Sequence, residues 1–288
     1  MKNSFELTKE EKESLEYYTS RKCNDILDSK GFASVNGFLR TIISNKKPAV
    51  QVGFMYDEQS FKDFLKHIEN IFSVACKYGT NHELPPRIFR GYDGANKVIT
   101  QSKQDKYGTN HWMSDQFLSC SRSEGETRAF SKLEVMYLDI NDYFISQHQI
   151  PFIDVNDILG SDQGFGDEKE ILIPPFFDLV VKGKEVTPDK VYYDLEIEPF
   201  ISKQTAEEEM YELSDADIKK YFELTQEYYK NNNKSVEQEL LKYQSKIKTH
   251  LHNRMSDLQF QIMINNSNEL DSMFVEEQQE EKSQNRYY

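Results

Sequence analysis

The chain predicts an α+β fold: an N-terminal helical part, two small packed β-sheets and a C-terminal helical extension. Three observations lead there. In the first third, Phe61, Phe64, Leu65, Ile68, Phe72 and Ala75 recur at helical spacing. From residue 87 the apolar pattern shortens to strand-length runs, and past about residue 200 a helical stripe returns. Helices first and strands afterwards fit segregated layers, not the alternation of a parallel α/β sheet.

Taken in order, Thr8 with Glu11 has the spacing of a capping box at the start of a helix, and Gly79 ends the Phe61–Ala75 run. Short strands are expected around residues 88–91, 116–121, 133–140, 171–174, 177–181 and 191–197. Val236, Leu240, Tyr243, Ile247, Leu251, Met255, Leu258 and Ile262 then line one stripe of a long helix. Asn231-Asn232-Asn233 separates it from a preceding helix running from about Ser214 to Tyr229. These helices either pack back on the rest of the chain or form a hairpin that binds a partner. From Glu276 the sequence is too polar to bury and predicts a disordered acidic tail. The divisions are therefore 1–200, 201–275 and 276–288.

Composition narrows the function. A net charge of −14 over 288 residues, with no lysine- or arginine-rich run, argues against nucleic acid as a partner and suits a protein target. An acidic rim favours the approach of an arginine side chain. No apolar run approaches the roughly 18 residues of a membrane span. Met1-Lys2-Asn3-Ser4-Phe5 leads into charged sequence, so no Sec signal is expected. Cys23, Cys76 and Cys120 lack disulfide or metal spacing and suit a reducing, cytoplasmic setting. The six histidines, His67, His82, His111, His148, His250 and His252, show no metal spacing either. No Gly-x-Gly-x-x-Gly follows a strand, which sets aside the usual dinucleotide fold.

Three polar clusters stand at strand-like positions. In Arg87-Ile88-Phe89-Arg90-Gly91, alternation puts Arg90 opposite Phe89, and Gly91 allows close approach to the backbone. In Phe117-Leu118-Ser119-Cys120-Ser121, the two serines share a face and Cys120 takes the other. In Gly166-Asp167-Glu168-Lys169-Glu170-Ile171, Glu168 and Glu170 share a face. Alone, the last would read as a solvated acidic turn before a buried strand. Together the clusters run Arg, then Ser-x-Ser, then Glu-x-Glu.

That order resembles the arginine-serine-glutamate class of mono-ADP-ribosyltransferases, the cholera-toxin-like and ecto-enzyme group. The resemblance extends over about residues 15–200. Tyr18-Thr19-Ser20 and Asn36-Gly37-Phe38-Leu39-Arg40 look like that family's N-terminal helical signature, and Ile171-Leu172-Ile173-Pro174-Pro175 like its strand-plus-proline ending. It implies an ADP-ribosyltransferase-like fold and a catalytic domain at 1–200. It also implies transfer of ADP-ribose from NAD to a protein arginine without a metal, as in bacterial toxins and effectors. The glutamate-rich C-terminus resembles the translocation signals of secreted effectors, which would place the action in a host cytosol.

Site roles follow from the same resemblance. Glu170 would offset charge on the ribose, and Glu168 would orient the acceptor guanidinium, which has five donors and stays protonated. Arg90 would bind the NAD phosphates or nicotinamide-side ribose, Gly91 the carboxamide, Ser119 would position Glu170, and Ser121 would support the strand. Phe130 would stack on nicotinamide, or else fill the core. In the glycine-rich loop at 160–166, Phe165 would contact the target or plug the core beneath it. Two alternatives stay open: an NAD glycohydrolase, and an inactive binding module of the same fold, against which the intact set of clusters argues. A thiol nucleophile at Cys120 near His111 is set aside, because Cys120 alternates away from the serines and such a route would leave Arg90 and both glutamates without roles.

Overall fold

The computed structural model describes residues 6–19, 31–48, 57–92, 103–104, 106–129, 131, 133–140, 150–160, 170–198 and 212–284. Of residues 128, 129, 262, 263 and 265–284, only the backbone is described. Among the described residues three helices lead: α1 (Lys9–Thr19), α2 (Phe32–Ser44) and α3 (Glu58–Asn81). The capping box at α1 is present, with the Thr8 amide donating to Glu11 Oε2 at 2.9 Å and the Glu11 amide to Thr8 Oγ1 at 3.2 Å. Asp57 caps α3 by accepting from the Ser60 amide.

Gly79 does not end α3, which runs on to Asn81. Its missing side chain serves packing instead. A Cβ there would collide with the carbonyl oxygen of Ile150, and close by Phe152 donates its amide to the Ala75 carbonyl at 3.1 Å.

Among the described residues nine strands follow: β1 (Arg87–Gly91), β2 (Lys103–Gln104), β3 (Asn110–Met113), β4 (Leu118–Ser121), β5 (Glu134–Ile140), β6 (Ile153–Asp154), β7 (Glu170–Ile173), β8 (Asp178–Val186) and β9 (Val191–Glu198). Six coincide with the runs the sequence predicts. The other three, β2, β3 and β6, are short and lack clean alternation. The strands form one hydrogen-bonded sheet in the order β2-β3-β8-β9-β5-β1-β4-β7-β6, where the sequence predicts two. The physical reason is a narrow seam. β1 meets β4 at a single registered pair, Phe89 and Ser121, and that one rung closes a six-strand part and a three-strand part into one sheet.

Helix α4 (Val155–Leu159) follows β6, and α5 (Asp215–Tyr229) and α6 (Glu237–Gln284) close the chain. Ser214 caps α5 in a reciprocal box with Asp217. The asparagine break lies where the sequence puts it: Asn232 adopts φ 52°, and Asn233 accepts from the Ser235 amide. Tyr221, Leu224, Leu240, Ile247, Leu251 and Met255 belong to the same apolar core as Phe38, Phe64 and Phe72. Gln244 ties the helices down further, donating to the carbonyls of Thr41 in the last turn of α2 and of Lys47 just past it. α6 continues through the residues predicted to form a disordered tail, as far as Gln284. Glutamate, glutamine and lysine favour helix even where there is nothing to bury. Among the described residues no helix is long and apolar enough to cross a membrane.

Candidate active site

Every predicted site residue within the described residues lies on three strands adjacent in the sheet. Arg90 and Gly91 are on β1, Ser119 and Ser121 on β4, and Glu170 is the first residue of β7. Glu168, Phe165 and Phe130 lie outside the described residues.

Alternation on β1 works as the sequence predicts. Phe89 meets Tyr137 edge-on, with ring centroids 5.5 Å apart, leaving Arg90 to the opposite face. Arg90 Nη1 donates to the Ser119 carbonyl at 2.5 Å, and its guanidinium sits 5.2 Å over the Tyr92 ring. Antiparallel pairing then sets Ser121 directly opposite Glu170, so both side chains leave the sheet on one face, with Ser119 two residues along. Ser121 Oγ donates to Glu126 Oε2 at 3.1 Å.

Cys120 takes the other face and is buried. Burial pushes its thiol up to about 12, against the pull of Arg90 and with a further push from Glu170. A thiol held protonated is a poor nucleophile, which disfavours the cysteine route.

The same two charges act on Tyr18 of α1, whose hydroxyl burial has already driven upward; Glu170 raises it further and Arg90 opposes. Tyr18 and Cys120 thus lie within electrostatic reach of both Arg90 and Glu170. The helical signature acquires a role here. Asn36 Nδ2 donates to the Tyr18 hydroxyl at 3.2 Å and to the Phe117 carbonyl at 3.3 Å, while Asn36 Oδ1 accepts from the Phe117 amide at 3.0 Å. This two-way clamp grips the backbone two residues before Ser119. Nearby, burial raises the Asp115 carboxyl and the Arg40 charge opposes that rise. Tyr18, Asn36 and Arg40 therefore converge on the segment that leads into β4.

Three residues of this site carry no signal in the sequence. They are Tyr92 beneath Arg90, Glu126 on Ser121, and Arg122, whose Nη2 meets Asp154 Oδ2 at 2.8 Å and ties the end of β4 to β6. Each is an ordinary polar or aromatic residue until pairing brings it into place.

Away from these strands, one trio among the described residues brings metal-ligating atoms together. His111 on β3, Asp178 on β8 and Glu198 on β9 place one donor atom each within 4.8 Å of the others. Spacing along the chain does not reveal it, because its members come from three separate strands.

No protein-family profile matches this sequence, and no curated protein does. Among solved structures, the fold is similar to the Vis toxin, an ADP-ribosyltransferase from Vibrio splendidus, at 15% identity over 69% of this chain and 78% of that one, with a TM-score of 0.46. It is also similar to exoenzyme S from Pseudomonas aeruginosa in complex with human 14-3-3 protein beta and carba-NAD, at 16% identity, 66% and 74% coverage and a TM-score of 0.42. The C3 exoenzyme of Clostridium limosum matches at 17% identity, 68% and 88% coverage and a TM-score of 0.44.

Proposed function

We propose that this chain transfers ADP-ribose from NAD to an arginine of a target protein, releasing nicotinamide. The supporting observation is the placement of the arginine, Ser-x-Ser and glutamate clusters on three neighbouring strands, with Arg90 bonded to Ser119 and Ser121 in register with Glu170. In this reading residues 1–200 hold the chemistry, and the target is met in a cytosol, a host's if the protein is delivered there.

The bond between nicotinamide and the anomeric carbon breaks, its electron pair leaving with nicotinamide, and positive charge spreads over the ribose ring. Glu170 lies on β7 facing Ser121, so its carboxylate offsets that charge where it develops. Arg90 gives one donor to Ser119 and, as a guanidinium with five, directs others to the pyrophosphate. An acceptor guanidinium nitrogen, oriented by Glu168, then bonds to the anomeric carbon and gives up a proton. None of these steps calls for a metal, so turnover persists in chelator.

The test is a pair of glutamine variants. Glu170→Gln loses charge stabilisation at the transition state, and both NAD hydrolysis and transfer fall by about 10²–10³-fold or more. Glu168→Gln loses transfer to arginine and keeps most NAD hydrolysis, since water needs no guanidinium-orienting carboxylate. Labelled NAD with a eukaryotic lysate, followed by mass spectrometry of the labelled band, reads the acceptor. ADP-ribose on a residue other than arginine, or transfer intact in Glu168→Gln, overturns the arginine reading. Hydrolysis without transfer in the unaltered protein would instead identify an NAD glycohydrolase.

A further inference from the structure

The polar face of the β3-β8-β9 part of the sheet breaks a rule of strand pairing. Asp178 and Glu198 stand directly opposite one another in antiparallel register, an arrangement in which like charges repel. Val180, two residues along β8 on the same face, pairs with Glu196 on one side and His111 on the other. Among the described residues three carboxylates thus share one patch with one imidazole and Lys182, whose Nζ is already 2.6 Å from Glu196 Oε2. The other Glu196 oxygen is buried with no hydrogen-bond partner among the described residues. Among the described residues carboxylates outnumber the cationic groups of the patch, and a cation relieves both that excess and the unsatisfied buried acceptor.

We infer that His111, Asp178 and Glu198 form a binding site for a divalent first-row transition ion that clamps β3, β8 and β9. The imidazole, 2.7 Å from Asp178 Oδ2 through Nδ1, distinguishes the site from an oxygen-only pocket for calcium or magnesium. Around zinc, nitrogen and carboxylate donors sit about 2.0–2.2 Å from the ion. The three donor atoms, within 4.8 Å of one another, reach that arrangement by modest side-chain rotation. All three residues are only partly buried, so an ion has a path in. None of the three is among the residues proposed for the chemistry, so the expected effect of the ion is on sheet stability.

The experiment uses the full chain, stripped with chelator and titrated calorimetrically with zinc, manganese and magnesium chlorides. One equivalent of zinc or manganese binds and raises the melting temperature, while magnesium at the same concentration does neither. His111→Gln and Glu198→Gln each weaken zinc binding by about tenfold or more. Glu198→Gln also melts no lower than the unaltered metal-free protein, because it removes the opposed charge. X-ray absorption on the unaltered zinc-loaded protein, which depends on no variant folding, shows a nitrogen and oxygen shell with a single imidazole. Absence of saturable uptake, equal uptake by the variants, or a shell containing two imidazoles or sulfur overturns the assignment.

Discussion

Asn36 shows how one side chain links two levels of the structure. Its amide satisfies both backbone groups of Phe117 and the Tyr18 hydroxyl, so removing it leaves a buried amide, carbonyl and phenol short of partners. Leaving such groups unsatisfied costs about 1–3 kcal/mol. Asn36→Ala is therefore expected to lower the melting temperature by several degrees, roughly 2–4 °C per kcal/mol in a chain of this size. It also lets the start of β4 drift, so NAD hydrolysis falls further than the loss of folded protein explains. Activity measured well below the melting temperature separates the two effects: a rate matching the unaltered protein there would confine Asn36 to stability. The conservative Asn36→Gln cannot place both amide atoms on Phe117 and restores little.

At the scale of elements, packing of the helices against the sheet decides what tolerates change. α3 approaches residues 150–151 so closely at Gly79 that a single methyl meets backbone, which cannot swing aside as a side chain can. Gly79→Ala is expected to destabilise by about 1–3 kcal/mol as an overpacking change, despite alanine's better helix propensity. Urea denaturation reads the sign, and an unchanged midpoint would show that the contact relaxes freely. The C-terminal helices divide differently. Leu240, Ile247, Leu251 and Met255 of α6 are buried in the common core, whereas Phe260 and Ile264 are exposed. Truncation after residue 264 is expected to leave stability and NAD hydrolysis nearly unchanged. Truncation after 205 removes Tyr221, Leu224 and the α6 core residues, and both activities are lost with the fold. Circular dichroism melts on the two truncations check this.

For the whole molecule, the carboxylates set the response to acid. Burial raises the Glu11 carboxyl, but Lys77, the Thr8 amide and Ser73 outweigh it and hold the group below the ordinary glutamate value. Lys190 holds Glu124 low as well, with help from the Tyr137 and Tyr192 hydroxyls. In both cases the unfolded chain binds protons more readily than the folded one. Their stabilisation is thus complete above the unfolded value and is lost as pH falls through the folded one. The melting temperature is expected to hold near neutrality and to drop from about pH 5 downward. Glu11→Gln flattens that acid limb and costs about 1.5–3 kcal/mol at neutral pH, toward the lower end because Lys77 is half exposed. Calorimetry across that range, with an acid limb unchanged in the variant, would remove Glu11 from the account.

Legible in the sequence alone were the helices that bracket the strands, six of the strands and the pleat of the motif strands, because all of these are local. The capping box at Thr8 and Glu11, the break at Asn231–Asn233, and the alternation that parts Arg90 from Phe89 and Cys120 from its flanking serines all depend on neighbours a few residues away. Tertiary structure decided whatever depends on pairing between distant segments. The seam at Phe89 and Ser121 that makes one sheet of two is set by register. So are Glu126 on Ser121, the Asn36 clamp on Phe117, and the trio of His111, Asp178 and Glu198. Gly79 reads as a helix end in sequence because glycine disfavours helix, yet the free energy of close packing against Ile150 keeps it inside one. A strand's period shows which side chains share a face, and only its partner strands show what that face meets.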